Sequence, residues 1–284
     1  MKKILIATDS TSGLTIEEAN KYGIALLPLS VIVDGKEYKD LYDITTEEVY
    51  EYDKKKANLS TTQPNLGYLE ETMKQWKEEN YDAIICISLA HTFSGTYQAI
   101  KMMGEEIGLS QLIQIDSSIV ASPMKHASIL AKKMVDEGHD VDEIILEVNK
   151  IFDDTVSFLL PETLDNLKRG GRITGAAAAM SSLLKIKPLL YLERRSGKIE
   201  KHSVHRTENK VFKTIIDEFK KRGVTSDTHM FYIPHAVNLP IVERFITFMK
   251  NDFPNMEYEI LDLPAVLTTH AGIGAFAVQS VLKF

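Results

Sequence analysis

The chain has 284 residues, 44% of them apolar and 26% charged, which is the composition of a folded globular protein long enough for two cores. With 33 basic against 40 acidic residues the formal charge is −7, so broad attraction to nucleic acid or to an anionic membrane is disfavoured and any anion must be recognised locally. No apolar run reaches the roughly 18 residues that a membrane span needs, and Met1-Lys2-Lys3 leads into a strand without a cleavage-site pattern, so the expected location is the cytoplasm.

Strands are expected at 3–8, 25–33, 82–88 and 112–116, separated by helical patterns at about 15–22, 45–56, 66–79 and 95–106 and followed by helices at about 121–137 and 141–153. This alternation implies βαβ units and a mainly parallel sheet, with a small hairpin inserted at Val33-Asp34-Gly35-Lys36, because Asp-Gly favours a tight reversal. From Thr155 the pattern changes to strands at 156–160, 188–194 and 198–204, a helix at 207–222, a strand at 229–234, a helix at 239–251 and strands at 256–262 and 274–282. A hairpin around Arg195-Ser196-Gly197-Lys198 points to antiparallel pairing there. The expected fold class is therefore α/β in two domains: residues 1–155 with a mainly parallel sheet and a hairpin insertion, and residues 156–284 with a mixed or antiparallel sheet. No linker or repeat separates them, so they are expected to pack directly, with a ligand at their interface.

The chemistry concentrates where an apolar strand empties into a hydroxyl-rich turn, across residues 85–98. Free N–H groups at a helix start, with Gly95 allowing close approach, make Ser94-Gly95 a receptor for a carboxylate or phosphate, unless Ser94 merely caps the helix. Cys86 lies inside the apolar run and reads as a buried, inert thiol. The stretch 175–186 reads as a small-residue helix, either for close packing or for leaving room beside a linear apolar ligand.

Five blocks in order carry a resemblance. They are Thr8-Asp9-Ser10-Thr11; Thr61-Thr62-Gln63-Pro64; Phe93-Ser94-Gly95-Thr96-Tyr97-Gln98; Leu164-Asp165-Asn166-Leu167-Lys168-Arg169-Gly170-Gly171-Arg172-Ile173; and His270-Ala271-Gly272-Ile273-Gly274-Ala275. As a set, from about residue 3 to the C-terminus, they resemble the DegV family, whose characterised members are bacterial fatty-acid-binding proteins serving a fatty acid kinase. Asn65, Phe93 and Ile273 depart from the residues usual in those blocks, and the property they bear on is acyl-chain preference.

The resemblance implies a lipid carrier rather than an enzyme. It would bury a long-chain fatty acid, present the carboxyl group to a separate ATP-dependent kinase, and carry the acyl-phosphate onward to phospholipid synthesis. By the same resemblance the carboxylate is held by Thr62, Ser94 and His270, with Thr61 ranked as a lesser alternative. Arg172 is then either the basic neighbour of the head group or a support for its own loop, and Arg206 is either a phosphate-handling or kinase-docking residue or simply exposed. No Gly-Xaa4-Gly-Lys-Ser/Thr string supplies ATP binding, so the kinase is expected to be another chain. Neither a metal nor a cofactor is expected beyond the fatty acid itself, His202 and His205 lacking metal-ligand spacing. Two other classes stay open: a hydrolase using Ser94 with His270 as base, and a sensor of nucleotides or small anions using Asp9.

Overall fold

The computed structural model describes residues 2–182, 186–192, 194 and 198–284. The end of the small-residue helix (183–185) and the tip of the expected second hairpin (195–197) lie outside the described residues.

In chain order the first half comprises β1 (Ile4–Asp9), α1 (Ile16–Tyr22), β2 (Ile24–Leu27), β3 (Ser30–Val33), β4 (Lys36–Lys39), α2 (Thr46–Lys54), β5 (Leu59–Thr62), α3 (Leu66–Glu78), β6 (Ala83–Ser88), α4 (Thr96–Glu106), β7 (Leu112–Asp116), α5 (Ser122–Glu137) and α6 (Val141–Asp154). The second half comprises β8 (Val156–Leu160), α7 (Asp165–Gly170), α8 (Gly175–Ala178), β9 (Lys187–Leu192), β10 (Ile199–His205), α9 (Glu208–Lys221), β11 (His229–His235), α10 (Leu239–Met249), β12 (Glu257–Asp262), α11 (Ala265–Ala271) and β13 (Phe276–Leu282).

Among the described residues three sheets result. A parallel sheet runs β2-β1-β6-β7, and a mixed sheet runs β10-β9-β8-β13-β11-β12, antiparallel throughout except for β11 with β12. The expected hairpin is real and larger than its turn suggested. Asp34 and Gly35 both take positive φ, at 48° and 86°, as a two-residue reversal needs, and β5 adds a third antiparallel strand beside β3. The single strand expected over 25–33 is two strands in different sheets, broken at Pro28-Leu29, where Leu29 N–H donates to Ser10 Oγ at 3.1 Å.

Layering follows from which faces are apolar. α3 and α4 cover one face of the parallel sheet, with Leu69, Met73, Trp76 and Ile100 packed on Ala7, Ile84 and Cys86. On its other face lies a core shared with α5 and α6, in which Met124, Ala127, Val148 and Phe152 meet Ile6 and Ile85 on one side and Leu192, Tyr232 and Val281 of the mixed sheet on the other. α9 and α10 close the outer face of the mixed sheet with Phe212, Phe219 and Phe245 against Phe158, Phe231 and Phe276. The α5/α6 layer is thus sandwiched between two sheets. Lys125 of α5 stitches it to both sides, donating to Glu18 of α1 at 2.6 Å and Glu259 of β12 at 2.7 Å.

Candidate functional site

Beyond the N-terminus of α5 the helical layer stops, and the space between the sheets is left as a cavity of about 870 Å³ including its mouth. Strand alternation decides what faces it. On β8, Val156, Phe158 and Leu160 point to the α9/α10 core while Ser157 and Leu159 face the cavity; on β13, Phe276 and Val278 point away while Ala277 and Gln279 face it. Leu29 and Leu89, Val266 and Leu267 of α11, and Phe93 supply further apolar wall. Most of the lining is therefore aliphatic or aromatic, and the wall is shaped for a hydrocarbon.

At one end four polar side chains meet from four separate segments: Thr61 of β5, Ser94 before α4, Arg172 after α7, and His270 of α11. Thr61 Oγ1 lies 2.8 Å from His270 Nε2. Arg172 Nε donates to Phe93 O at 3.1 Å and its Nη1 donates to Gly170 O, so the guanidinium ties the Ser94 turn to the Gly-Gly turn while lining the cavity. The guanidinium therefore supports its own loop by bonding carbonyls, on a side chain that also lines the cavity.

Close approach explains one of the motif glycines. A Cβ on Gly170 would collide with the His270 ring at Nδ1, whereas at Gly95 it would meet only the mobile amide end of Gln63. The Thr-Thr-Gln-Pro block therefore closes on the Ser-Gly-Thr block, and the Gly-Gly block on the histidine.

Electrostatics at this end are lopsided. Burial pushes the His270 pKa down to about 4, and the charges of Arg172 and Arg169 push in the same direction. The ring is neutral at neutral pH, beside a guanidinium, with no carboxylate bonded to it among the described residues. An anion entering here meets one cation, hydroxyl donors and a neutral ring instead of a competing negative charge.

Other residues singled out from the sequence fall elsewhere. Thr62 does not line the cavity; it follows Thr61 on β5 and, by alternation, faces the opposite way. Both threonines sit on β5, a strand outside those expected from the sequence. Ser94 is not the cap: Gly95 holds that position, and Ser94 Oγ instead accepts from Thr96 N at 3.3 Å and pairs with Thr96 Oγ1 at 2.8 Å. His270 lies in a short helix, α11, that the sequence pattern does not announce. Arg206 is exposed at the end of β10, away from the cavity. Of the Thr8-Asp9-Ser10-Thr11 block, Thr11 lines the cavity, while Ser10 Oγ accepts from Leu29 N–H.

Asp9 is wholly buried, its carboxylate accepting from Thr11 N at 3.0 Å, Thr11 Oγ1 at 2.5 Å and Leu89 N at 2.7 Å. Burial still raises its pKa to about 6. It pins the ends of β1 and β6 together, which leaves it no part in recognising a nucleotide. Burial likewise pushes the Cys86 thiol up to about 12, as an inert core sulfur requires. Ser94 Oγ pairs with Thr96 and His270 with Thr61, and among the described residues no hydrogen bond joins Ser94 to His270 as the hydrolase arrangement would need. Among the described residues no cluster of three or more His, Cys, Asp or Glu is placed to hold a metal, and no helix is long and apolar enough to cross a membrane.

A family model described as an uncharacterised protein of the DegV family matches residues 3–283. A DegV domain-containing protein of Listeria monocytogenes is 30% identical over 283 residues, covering 99% of each chain, and one of Staphylococcus aureus is 34% identical over 285 residues, covering 98% of this chain and 97% of the relative. Among solved structures, the fatty-acid-binding DegV family protein SAG1342 of Streptococcus agalactiae superposes with a TM-score of 0.90 at 26% identity over the whole of both chains. A DegV family protein of Thermus thermophilus, described for its fatty acid binding, gives a TM-score of 0.90 at 25% identity, again over both whole chains.

Proposed function

Because the chain belongs to the DegV family, we propose that it binds a long-chain fatty acid in the cavity between its two large sheets, the carboxylate resting among Thr61, Ser94, Arg172 and His270. The observation that carries this reading is the asymmetry of the cavity: an apolar channel that gathers four polar groups at one end. Burying about 15 methylenes is worth on the order of 10 kcal/mol before the costs of association, at roughly 0.8 kcal/mol each. An unpaired carboxylate would cancel much of that gain, and hydroxyl donors plus a guanidinium prevent it. The similar proteins of Streptococcus agalactiae and Thermus thermophilus, described as fatty acid binding, support the same ligand class.

Thr61 takes precedence over Thr62 in this assignment because its side chain faces the cavity and bonds His270. The ligand would be held where residues 1–155 and 156–284 meet as two domains, which leaves its head group near the surface turns at Ser94 and Arg172. That position suits delivery to a separate ATP-dependent fatty acid kinase in the cytoplasm, with Arg206 on the exposed end of β10 as a docking or phosphate-handling residue and the chain itself acting as carrier, not catalyst.

Titration of delipidated protein with stearate and with octadecanol tests the assignment. The acid should bind roughly 10-fold or more tighter than the alcohol, since charge-assisted hydrogen bonds contribute about 1.5–3 kcal/mol. Equal affinities would show that the polar end does not hold the carboxylate.

A further inference from the structure

A second polar group sits in the cavity wall, away from the carboxylate end. Ser157 of β8 and Gln279 of β13 are paired across the sheet, both face the cavity, and they are 7% and 2% exposed. Each lies two residues beyond a cavity-facing partner nearer the polar end, Leu159 and Ala277, so the pair sits about 7 Å deeper along the strands.

The hydrogen bonds of Gln279 fix its amide without ambiguity. Ser122 N–H donates to Oε1 at 3.1 Å, and Nε2 donates to the carbonyl of Val120 at 3.1 Å. A backbone N–H can only donate and a carbonyl can only accept, so the oxygen and nitrogen cannot be exchanged. The second Nε2 proton goes to Ser157 Oγ at 2.9 Å. Ser157 Oγ is therefore an acceptor in that bond, and its own proton points elsewhere. Among the described residues no acceptor takes it. Beside Ser157 in the sheet stand Leu192, its partner on β9, and Leu159 and Ala277 toward the polar end, none of whose side chains carries an acceptor.

We infer that Ser157 is a specificity-determining residue, and that the cavity takes an acyl chain carrying an oxo group in the interior of the chain at the level of Ser157. The inference deepens the fatty-acid reading above and rests on it. A saturated methylene at that level leaves a buried O–H donor without a partner, whereas a ligand oxygen accepts from it. Gln279 holds the serine in that orientation and spares it the alternative of rotating to donate to the amide.

The test is competition binding to delipidated protein, with stearate and a positional series of mono-oxostearates displacing a fluorescent fatty acid from the native chain, Ser157→Ala and Ser157→Cys. In the native protein one position of the oxo group should bind about 3- to 10-fold tighter than stearate, the worth of one net hydrogen bond. Ser157→Ala should strengthen stearate and bring that ratio to about one, and Ser157→Cys, of similar shape but a weak donor, should lose most of it. If no isomer outcompetes stearate in the native protein, or if the preference survives in Ser157→Ala, the inference is overturned while fatty-acid binding stands. If neither stearate nor any isomer displaces the probe, the underlying reading falls and this one with it.

Discussion

Thr61 Oγ1 and His270 Nε2 lie 2.8 Å apart across 209 positions of sequence, and their contact joins the small antiparallel sheet to α11 at the polar head of the cavity. Replacing Thr61 by Val removes one hydroxyl from that head while keeping the β-branched shape that a strand favours. Affinity for stearate should fall by about 1–3 kcal/mol, with little change in melting temperature. Thr62→Val should change affinity much less. Calorimetric titration of both variants checks the pair, and an equal loss in the two would contradict the facing inferred from β5.

Gly170 offers a test with an unusual sign. It is the last residue of α7 and takes no positive φ, so Gly→Ala in a helix would ordinarily stabilise by roughly 0.5–1 kcal/mol. Here the added Cβ runs into the His270 ring, so Gly170→Ala should displace the imidazole and lower stearate affinity by about 10-fold or more. Undiminished affinity would mean that the ring position does not matter to the ligand.

Protonation of His270 is coupled to the ligand. Burial and the neighbouring arginines hold its pKa at about 4 in the free protein, and a carboxylate beside it favours the charged ring and raises that value. Binding should then take up protons from about pH 4 up to the bound-state pKa, and affinity should fall as pH rises through that bound value. Above it the dependence disappears. Calorimetry in buffers of different ionisation enthalpy measures the uptake; His270→Gln should abolish it, and equal uptake in the variant would assign the proton to another group.

A second histidine controls stability instead of binding. His126 Nε2–H donates to Leu282 O at 2.8 Å and Nδ1 accepts from Tyr232 Oη at 3.1 Å, linking α5 to two strands of the mixed sheet. Burial depresses its pKa from 6.5 to about 4, so the unfolded chain binds this proton more readily than the folded one. The resulting stability, roughly 3 kcal/mol, is complete above pH 6.5 and lost as pH falls through about 4. His126→Gln keeps a donor and an acceptor but cannot titrate, so its denaturation midpoint should decline less over that interval than that of the native protein; parallel declines would contradict the assignment.

Much of this fold could be read from strand and helix periodicity, because β1 and β6 contain apolar runs (Ile4–Ala7, Ala83–Ile87), β7 and β8 are short segments rich in Leu, Ile, Val and Phe, and α6 and α9 carry strong apolar faces. The parallel first sheet and the mixed second sheet follow from that alternation, as does the Asp34-Gly35 turn. The misses have local causes. α11 is seven residues long, follows Pro264 without a side-chain cap, and contains three β-branched residues, so nothing in its sequence announces a helix. The break at Pro28 was hidden inside a nine-residue apolar stretch whose two ends join different sheets. The order of Thr61 and Thr62 turns on the parity of β5, a four-residue strand too short to announce itself by periodicity. Leu59, buried in the core and two residues before Thr61, is the signal that marks the inward face. The Ser157–Gln279 pair carries no motif at all, since its meaning depends on a register between strands far apart in sequence.

Transfer of the ligand separates the two arginines. Arg172 lines the cavity and braces two turns, so Arg172→Ala should weaken fatty-acid binding and kinase-dependent turnover together. Arg206 is exposed away from the cavity, so Arg206→Ala should lower turnover at saturating lipid with fatty-acid affinity retained. Assay with a bacterial fatty acid kinase decides the point; normal turnover in Arg206→Ala would remove that residue from the transfer step.

The central claim is that the cavity is filled by a fatty acid, and the most direct measurement is mass spectrometry of the organic extract of the purified, denatured protein. The account predicts a long-chain fatty acid at close to one equivalent per chain, displaced when the protein is incubated with excess stearate. An extract free of fatty acid, from protein that also fails to take up stearate after delipidation, would contradict it.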